Sequence, residues 1–191
     1  MKNLDHFNLI SPIYDRVFGR RVDQEIVTLM DLEPDQNLLD VGGGTGRVSI
    51  LFKDICENLV VADSARKMLQ QAKNKNLDCI QSHSEKLPLP NGSFHRVIIV
   101  DAFHHVLNQR QTLSEMWRVL KPGGKMVIEE PDIKNFYVKL IAIGEKLLFM
   151  RSRFRSPKKI LEMCQFNDVA SREVNRNDGI AWIMITKQSE F

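Results

Sequence analysis

The segment Asp40-Val41-Gly42-Gly43-Gly44-Thr45-Gly46 joins a carboxylate to a run of glycines between an apolar strand-like run and a helical pattern. Glycine lets the backbone turn sharply and approach a ligand where a Cβ would clash. A helix start beyond it would add unpaired N–H groups. Asp63, 23 residues after Asp40, ends the next apolar run. A carboxylate placed there can accept hydrogen bonds from both hydroxyls of a ribose. Together these residues point to a nucleotide-like ligand. A phosphate loop requires Gly-Lys-Ser/Thr, but Gly46 is followed by Arg47-Val48. A dinucleotide fingerprint starting at Gly42 needs a glycine where Arg47 stands, and one starting at Gly43 needs a glycine where Thr45 stands. The pattern left is Asp-x-Gly-x-Gly-x-Gly. Farther along, His104 and His105 follow a fourth apolar run, and an imidazole there titrates near working pH as a general base would.

Elements must position these groups. Short apolar runs alternate with helical patterns, which predicts an α/β domain with a mainly parallel sheet. Strands are expected at Asn37–Val41, Asn58–Ala62, Asp78–Gln81, Arg96–Val100 and Lys125–Glu129. Runs such as Val97-Ile98-Ile99-Val100 lack polar alternation, as strands covered on both faces should. Helices are expected at Thr45–Asp54, Ser64–Lys73 and Gln109–Leu120, the last stopped by Lys121-Pro122-Gly123-Gly124. A largely apolar helix is predicted over Ile133–Met150, followed by Arg151, Arg153 and Arg155. Ser156 then reads as an N-cap with Pro157 at the first helical position. Two last strands, near Val169–Val174 and Ile180–Thr186, flank an Asp178-Gly179 turn and place an antiparallel pair at one sheet edge.

Bulk composition narrows the class further. The 191 residues suffice for one domain with a full core. Net charge is +3, too mild to imply nucleic-acid binding, and none is expected. The polar residues Lys2, Asp5 and His6 interrupt the opening stretch, so no secretory signal is read there, and no run reaches bilayer length. Cys56, Cys79 and Cys164 form no CxxC pair and are expected to be buried free thiols in a reducing cytoplasm. No spacing of His, Asp and Glu argues for a metal; His6 and His95 are expected on the surface or in loops.

Five ordered motifs carry a family resemblance. They are Leu38–Gly46, Val60–Leu69, Ser84-Glu85-Lys86-Leu87-Pro88-Leu89-Pro90 with Ser93-Phe94, Phe103-His104-His105-Val106, and Arg118–Gly124. Over residues 35–131 the chain resembles the class I methyltransferases of the type 11 branch and is similar to the ubiquinone/menaquinone biosynthesis C-methyltransferases. The resemblance implies a Rossmann-like fold, with a mainly parallel seven-stranded sheet, an antiparallel edge strand and helices on both faces. It implies S-adenosylmethionine as cofactor. Gly42, Gly43, Gly44 and Gly46 would face the methionine portion, with Asp40 near its amino group, and Asp63 would hold the ribose. Ser64 and Met68 would flank the adenine, Ser84 and Glu85 would lie against its edge, and Asp101 would line the sulfonium side. The family carries an acid where this chain has His83, whose neutral ring can still accept a hydrogen bond to the adenine amino group. Tyr14, in a Tyr14-Asp15 pair, resembles an N-terminal element that folds over the cofactor. A sulfonium beside a zwitterion is well matched by carboxylates and backbone dipoles.

The expected organisation is a single domain: N-terminal cap helices over 1–34, a cofactor-binding core over 35–131, a helical insertion or lid over 132–166 and a strand pair over 167–191. The expected reaction is methyl transfer to a small-molecule acceptor, with alignment and water exclusion supplying most of the acceleration. Quinol C-methylation, a non-catalytic S-adenosylmethionine-binding subunit or sensor, and a nicotinamide oxidoreductase are the alternatives. The 133–155 segment reads as a lid or core helix, or as a peripheral membrane or subunit contact. A monomer or homodimer fits equally.

Overall fold

The computed structural model describes residues 25–132, 152–177 and 179–189. Tyr14, His6, the other residues before 25, and the predicted Ile133–Met150 helix with Arg151 lie outside the described residues. The strands are β1 (Asn37–Val41), β2 (Asn58–Asp63), β3 (Asp78–Gln81), β4 (Phe94–Val100), β5 (Leu120–Pro131), β6 (Val169–Asn177) and β7 (Ile180–Lys187). They form one sheet in the order β3-β2-β1-β4-β5-β7-β6. The first five run parallel, β7 lies antiparallel to β5, and β6 is antiparallel to β7. The sheet is therefore the mixed, mainly parallel seven-stranded one that the sequence predicts.

Helices cover both faces because the central strands are apolar on both. On one face Leu39, Val97, Ile99, Ile128 and Ile183 pack against Leu113 and Met116 of α3 (Gln109–Val119) and Ile160 of α4 (Pro157–Met163). On the other, Leu38, Val61, Ile98, Val127 and Trp182 meet Ile26 and Met30 of α1 (Glu25–Met30) and Leu69 and Ala72 of α2 (Arg66–Asn74). Ile98 is fully buried on β4, so truncating it to Ala would cost about 2–5 kcal/mol. The predicted Ser156 cap forms, its side chain accepting from Lys159 N–H, and Asn108, which no pattern marked, caps α3 by accepting from Gln111 N–H.

Several details depart from the sequence reading. Thr45–Asp54 is not an α-helix: turns lead into a single 3-10 segment at Ser49–Phe52. Gly46 sits at φ +71° and the Ser49 hydroxyl donates to Asp40 at 2.5 Å, which draws the segment off a regular helical path. β5 starts at Leu120 rather than Lys125, because Leu120 pairs with Phe94 and Lys125 with Arg96, leaving residues 121–124 bulged out of the ladder. His95 belongs to β4 and is half-buried; its Nδ1 accepts Asn37 N–H at 3.0 Å. Cys164 is buried as expected, its thiol pushed up to about 12 by burial, whereas Cys56 and Cys79 are only half-buried. Among the described residues no helix is long and apolar enough to cross a membrane.

Candidate active site

The carboxyl ends of β1, β2, β4 and β5 converge on one sheet edge, where open α/β sheets place their ligands. Asp40 ends β1 almost completely buried. Its Oδ2 accepts from Ser49, but Oδ1 is buried with no hydrogen-bond partner. Burial raises the Asp40 carboxyl from 3.8 to about 6, against the lowering pull of Ser49 and Arg47; Asp63 pushes it further up. The loop above it is shaped around that carboxylate. A Cβ on Gly43 would fall 2.6 Å from the Asp40 carboxyl carbon and 2.9 Å from Val61. At Gly44, with φ +56°, a Cβ would meet nothing closer than Asp63 at 3.9 Å, leaving room for a ligand against bare backbone.

Asp63, at the end of β2, is half-buried and holds the loop in place. Its Oδ2 accepts Gly44 N–H at 2.9 Å and its Oδ1 accepts Ala65 N–H at 2.7 Å. Asp101 follows β4 with φ +51° and lies 3.7 Å from the Arg47 guanidinium, so an ion pair crosses from the glycine loop to the β4 end. Ala102 comes equally close: a Cβ on Gly42 would touch its methyl at 3.0 Å.

The structure thus brings Asp40, the glycines, Asp63 and Asp101 to one edge. The adenine-end residues are placed less uniformly. Ser64 and His83 are exposed, Met68 is buried, and the Ser64 carbonyl accepts from Gln81. Glu85 does not face the loop as an unengaged acid. One of its oxygens accepts Leu107 and Asn108 N–H at 2.9 and 3.0 Å, fixing the entry to α3, while Ser84 bonds Thr112 at 3.0 Å. Beside them the Ser82 hydroxyl is buried without a partner, a feature no motif marked.

His104 is buried and pairs with Glu130 at the end of β5, at 2.9 Å. His105 contacts the Ser152 hydroxyl at 3.3 Å, and burial, aided by His104, lowers its imidazole to about 3, so it stays neutral. The segment 152–155 is strapped across this turn. Arg153 N–H donates to His104 O at 2.7 Å, and buried Gln109 donates to Arg153 O at 2.8 Å. The guanidinium of Arg153 reaches Leu107 O and that of Arg155 reaches Gln109. Sequence reasoning missed Glu130, whose only signal was a pair of acids, Glu129-Glu130, closing an apolar strand.

Sheet order and site edge define the class as the Rossmann-like methyltransferase fold. A SAM-dependent methyltransferase from Thermotoga maritima shares it with a TM-score of 0.82 and 20% identity, over 95% of this chain and 98% of that one. Residues 39–128 match the methyltransferase domain family, within the span over which the motifs carry their resemblance. The chain is 40% identical over 116 residues to a ubiquinone/menaquinone biosynthesis C-methyltransferase of Coxiella burnetii, covering 54% of this chain and 46% of the relative. It is 33% identical over 133 residues to a demethylmenaquinone methyltransferase of Paenarthrobacter aurescens, covering 65% and 53%. The chain thus spans about half the length of these curated relatives.

Proposed function

We propose that this protein transfers a methyl group from S-adenosylmethionine to a small-molecule acceptor. The observation that carries the reading is the buried, half-satisfied carboxylate of Asp40 beneath an open glycine loop. An orphaned buried acceptor costs about 1–3 kcal/mol, and a cationic ligand group nearby would offset part of that cost. S-adenosylmethionine fits, with its ammonium and sulfonium charges and its ribose diol. In this reading Gly44 admits the methionine portion over bare backbone, Gly42, Gly43 and Gly46 let the loop close against Ala102, the Asp40 carboxyl and Leu77, and Asp40 favours the amino group. Asp63 holds the ribose hydroxyls while keeping Gly44 in place, and Asp101 supplies negative charge toward the sulfonium. Ser64, Met68, His83 and Ser84 form the adenine end, with Glu85 acting indirectly by fixing the 107–108 turn. The bound cofactor supplies an electrophilic methyl; the protein orients the acceptor behind it and excludes water.

Quinol C-methylation is the specific version favoured by the relatives' names. Titration calorimetry with S-adenosylmethionine tests the cofactor reading, and absence of binding sinks it. A mass-spectrometric screen of small acceptors, including demethylated quinols, for gain of one methyl group tests the reaction. Binding without turnover across that panel would favour a sensor or subunit instead.

A further inference from the structure

The turn after β4 carries an apolar side chain and a set of cations that neither the glycine loop nor the core uses. Leu107 is 55% exposed, yet both of its backbone polar groups are engaged. Its N–H donates to Glu85 at 2.9 Å and its carbonyl accepts from the Arg153 guanidinium at 3.2 Å. The next N–H, of Asn108, also goes to Glu85, and the Asn108 side chain caps α3. A turn with its backbone satisfied in this way can enter a layer of low dielectric without leaving a hydrogen bond unmade.

The cations gather at one end of the helical layer. Gln109, the first residue of α3, donates to Arg153 O and accepts from the Arg155 guanidinium, so the strap runs from the start of α3 into the start of α4. At the other end Trp117 of α3 stacks on Phe166 and donates to Asp168, both just beyond α4. The two helices therefore begin side by side. Because α3 returns from the carboxyl end of β4, they begin at the edge that carries the glycine loop. Arg110 in the first turn of α3, Lys158 and Lys159 in the first turn of α4, and Arg153 are exposed; Arg155 is half-buried. Neither helix has an acid in its first turn. That is the reverse of what the helix dipole favours, since cations there face the partial positive charge of the N–H ends. Glu162 is the one acid on residues 152–163, and Glu85 is occupied by the 107–108 N–H groups. Within the fold these cations oppose the dipole and Leu107 adds little packing; an anionic layer with an apolar interior offsets both.

We propose that this face docks on an anionic lipid bilayer. Leu107 enters the acyl boundary, while Arg110, Arg153, Arg155, Lys158 and Lys159 meet the headgroup phosphates. The charges select negatively charged lipids, and the leucine selects a bilayer over a purely polyanionic partner, which would leave it in water. Docking turns the carboxyl edge of the sheet toward the lipid. The proposal stands apart from the methyl-transfer reading, because its test needs no cofactor.

Cosedimentation of the full chain with lipid vesicles is that test. Binding is expected with phosphatidylcholine mixed with phosphatidylglycerol, is expected to vanish with phosphatidylcholine alone, and should weaken as sodium chloride is raised. Each cation near an anionic surface contributes on the order of fivefold in affinity. The double variant Lys158→Glu, Lys159→Glu should therefore bind at least roughly tenfold more weakly. Acids suit the first turn of a helix, so the variant keeps α4. Leu107→Trp should add an emission component that shifts to the blue when anionic vesicles are added. Equal binding to neutral and anionic vesicles overturns the proposal, as does a double variant that binds like the wild type. Emission from position 107 that stays at its value in water while the protein sediments also overturns it. Retention on single-stranded RNA with no binding to either vesicle would give the face to a polyanion and overturn it too.

Discussion

The two halves of the carboxyl edge handle their buried charges in opposite ways. On the β1–β2 side Asp40 is left half-satisfied, Asp63 grips the backbone of a glycine loop, and the space over Gly44 is open. On the β4–β5 side the buried acid Glu130 is closed onto His104, and a strap over residues 152–155 ties down the turn beneath it. An unsatisfied buried group is stable only where something else will complete it. The first half leaves a buried charge for a group from outside to meet, whereas the second closes its buried acid onto a partner already in place.

The sharpest way to break this contrast is at Gly43. Gly43→Ala drives a methyl into the Asp40 carboxyl and Val61, so it should lower stability by about 1–3 kcal/mol and abolish measurable cofactor binding. A melting temperature and a dissociation constant like the parent's would show that the loop is not moulded on Asp40. Next comes Asp63→Ala, expected to weaken S-adenosylmethionine binding by about 1–3 kcal/mol in calorimetry. An unchanged affinity would sink the ribose assignment.

A smaller effect separates Asp40 by pH. Its carboxyl is raised from 3.8 to about 6 in the folded chain, so across that window the folded state binds the proton more tightly than the unfolded state. Stability must then fall as pH rises through it. Neutral His105, lowered to about 3, acts in the opposite sense as pH rises toward 6.5, so the comparison is wild type against Asp40→Asn. The wild type should lose stability relative to the variant as pH rises from 3.8 to about 6. Wild-type affinity for the cation should rise over the same window, by up to about tenfold per pH unit, while the variant's stays flat. Parallel curves would remove the charge argument. The smallest expected effect is at His105. A ring lowered to about 3 is too weak a base to set a limb near neutrality, so His105→Asn should leave the acid limb of the pH–rate profile where it is. A limb that disappears would show that His105 itself titrates in the reaction.

Much of this edge was readable from sequence because its residues act close to their own strand ends. β1 and β3 have the predicted limits, and Asp40 and Asp63 sit where apolar runs stop. Local pattern failed where a distant group decides the geometry. Val48-Ser49-Ile50-Leu51-Phe52 has helical spacing, yet the pull of Asp40 on Ser49 and the positive φ of Gly46 leave only a 3-10 segment. Pro122-Gly123-Gly124 was readable as a turn, but not as a bulge inside β5, because that depends on Phe94 and Arg96. Glu130 was invisible for the same reason: its partner lies 26 positions away, and only the β4–β5 register brings them together. The motif for Glu85 was legible while its task was not, since Leu107 and Asn108 reach it only through the fold.

The placement of β7 between β5 and β6 also bears on how the chain is made. Ala181–Ile185 are buried in the sheet's interior, yet the ribosome delivers them after the other six strands of that sheet. Until they emerge, β5 presents an unpaired backbone edge flanked by Met126, Val127 and Ile128, an open template for wrong strand pairing. A nascent chain stalled before residue 180 should therefore be aggregation-prone and depend on chaperone cover, whatever the quality of the glycine loop already formed.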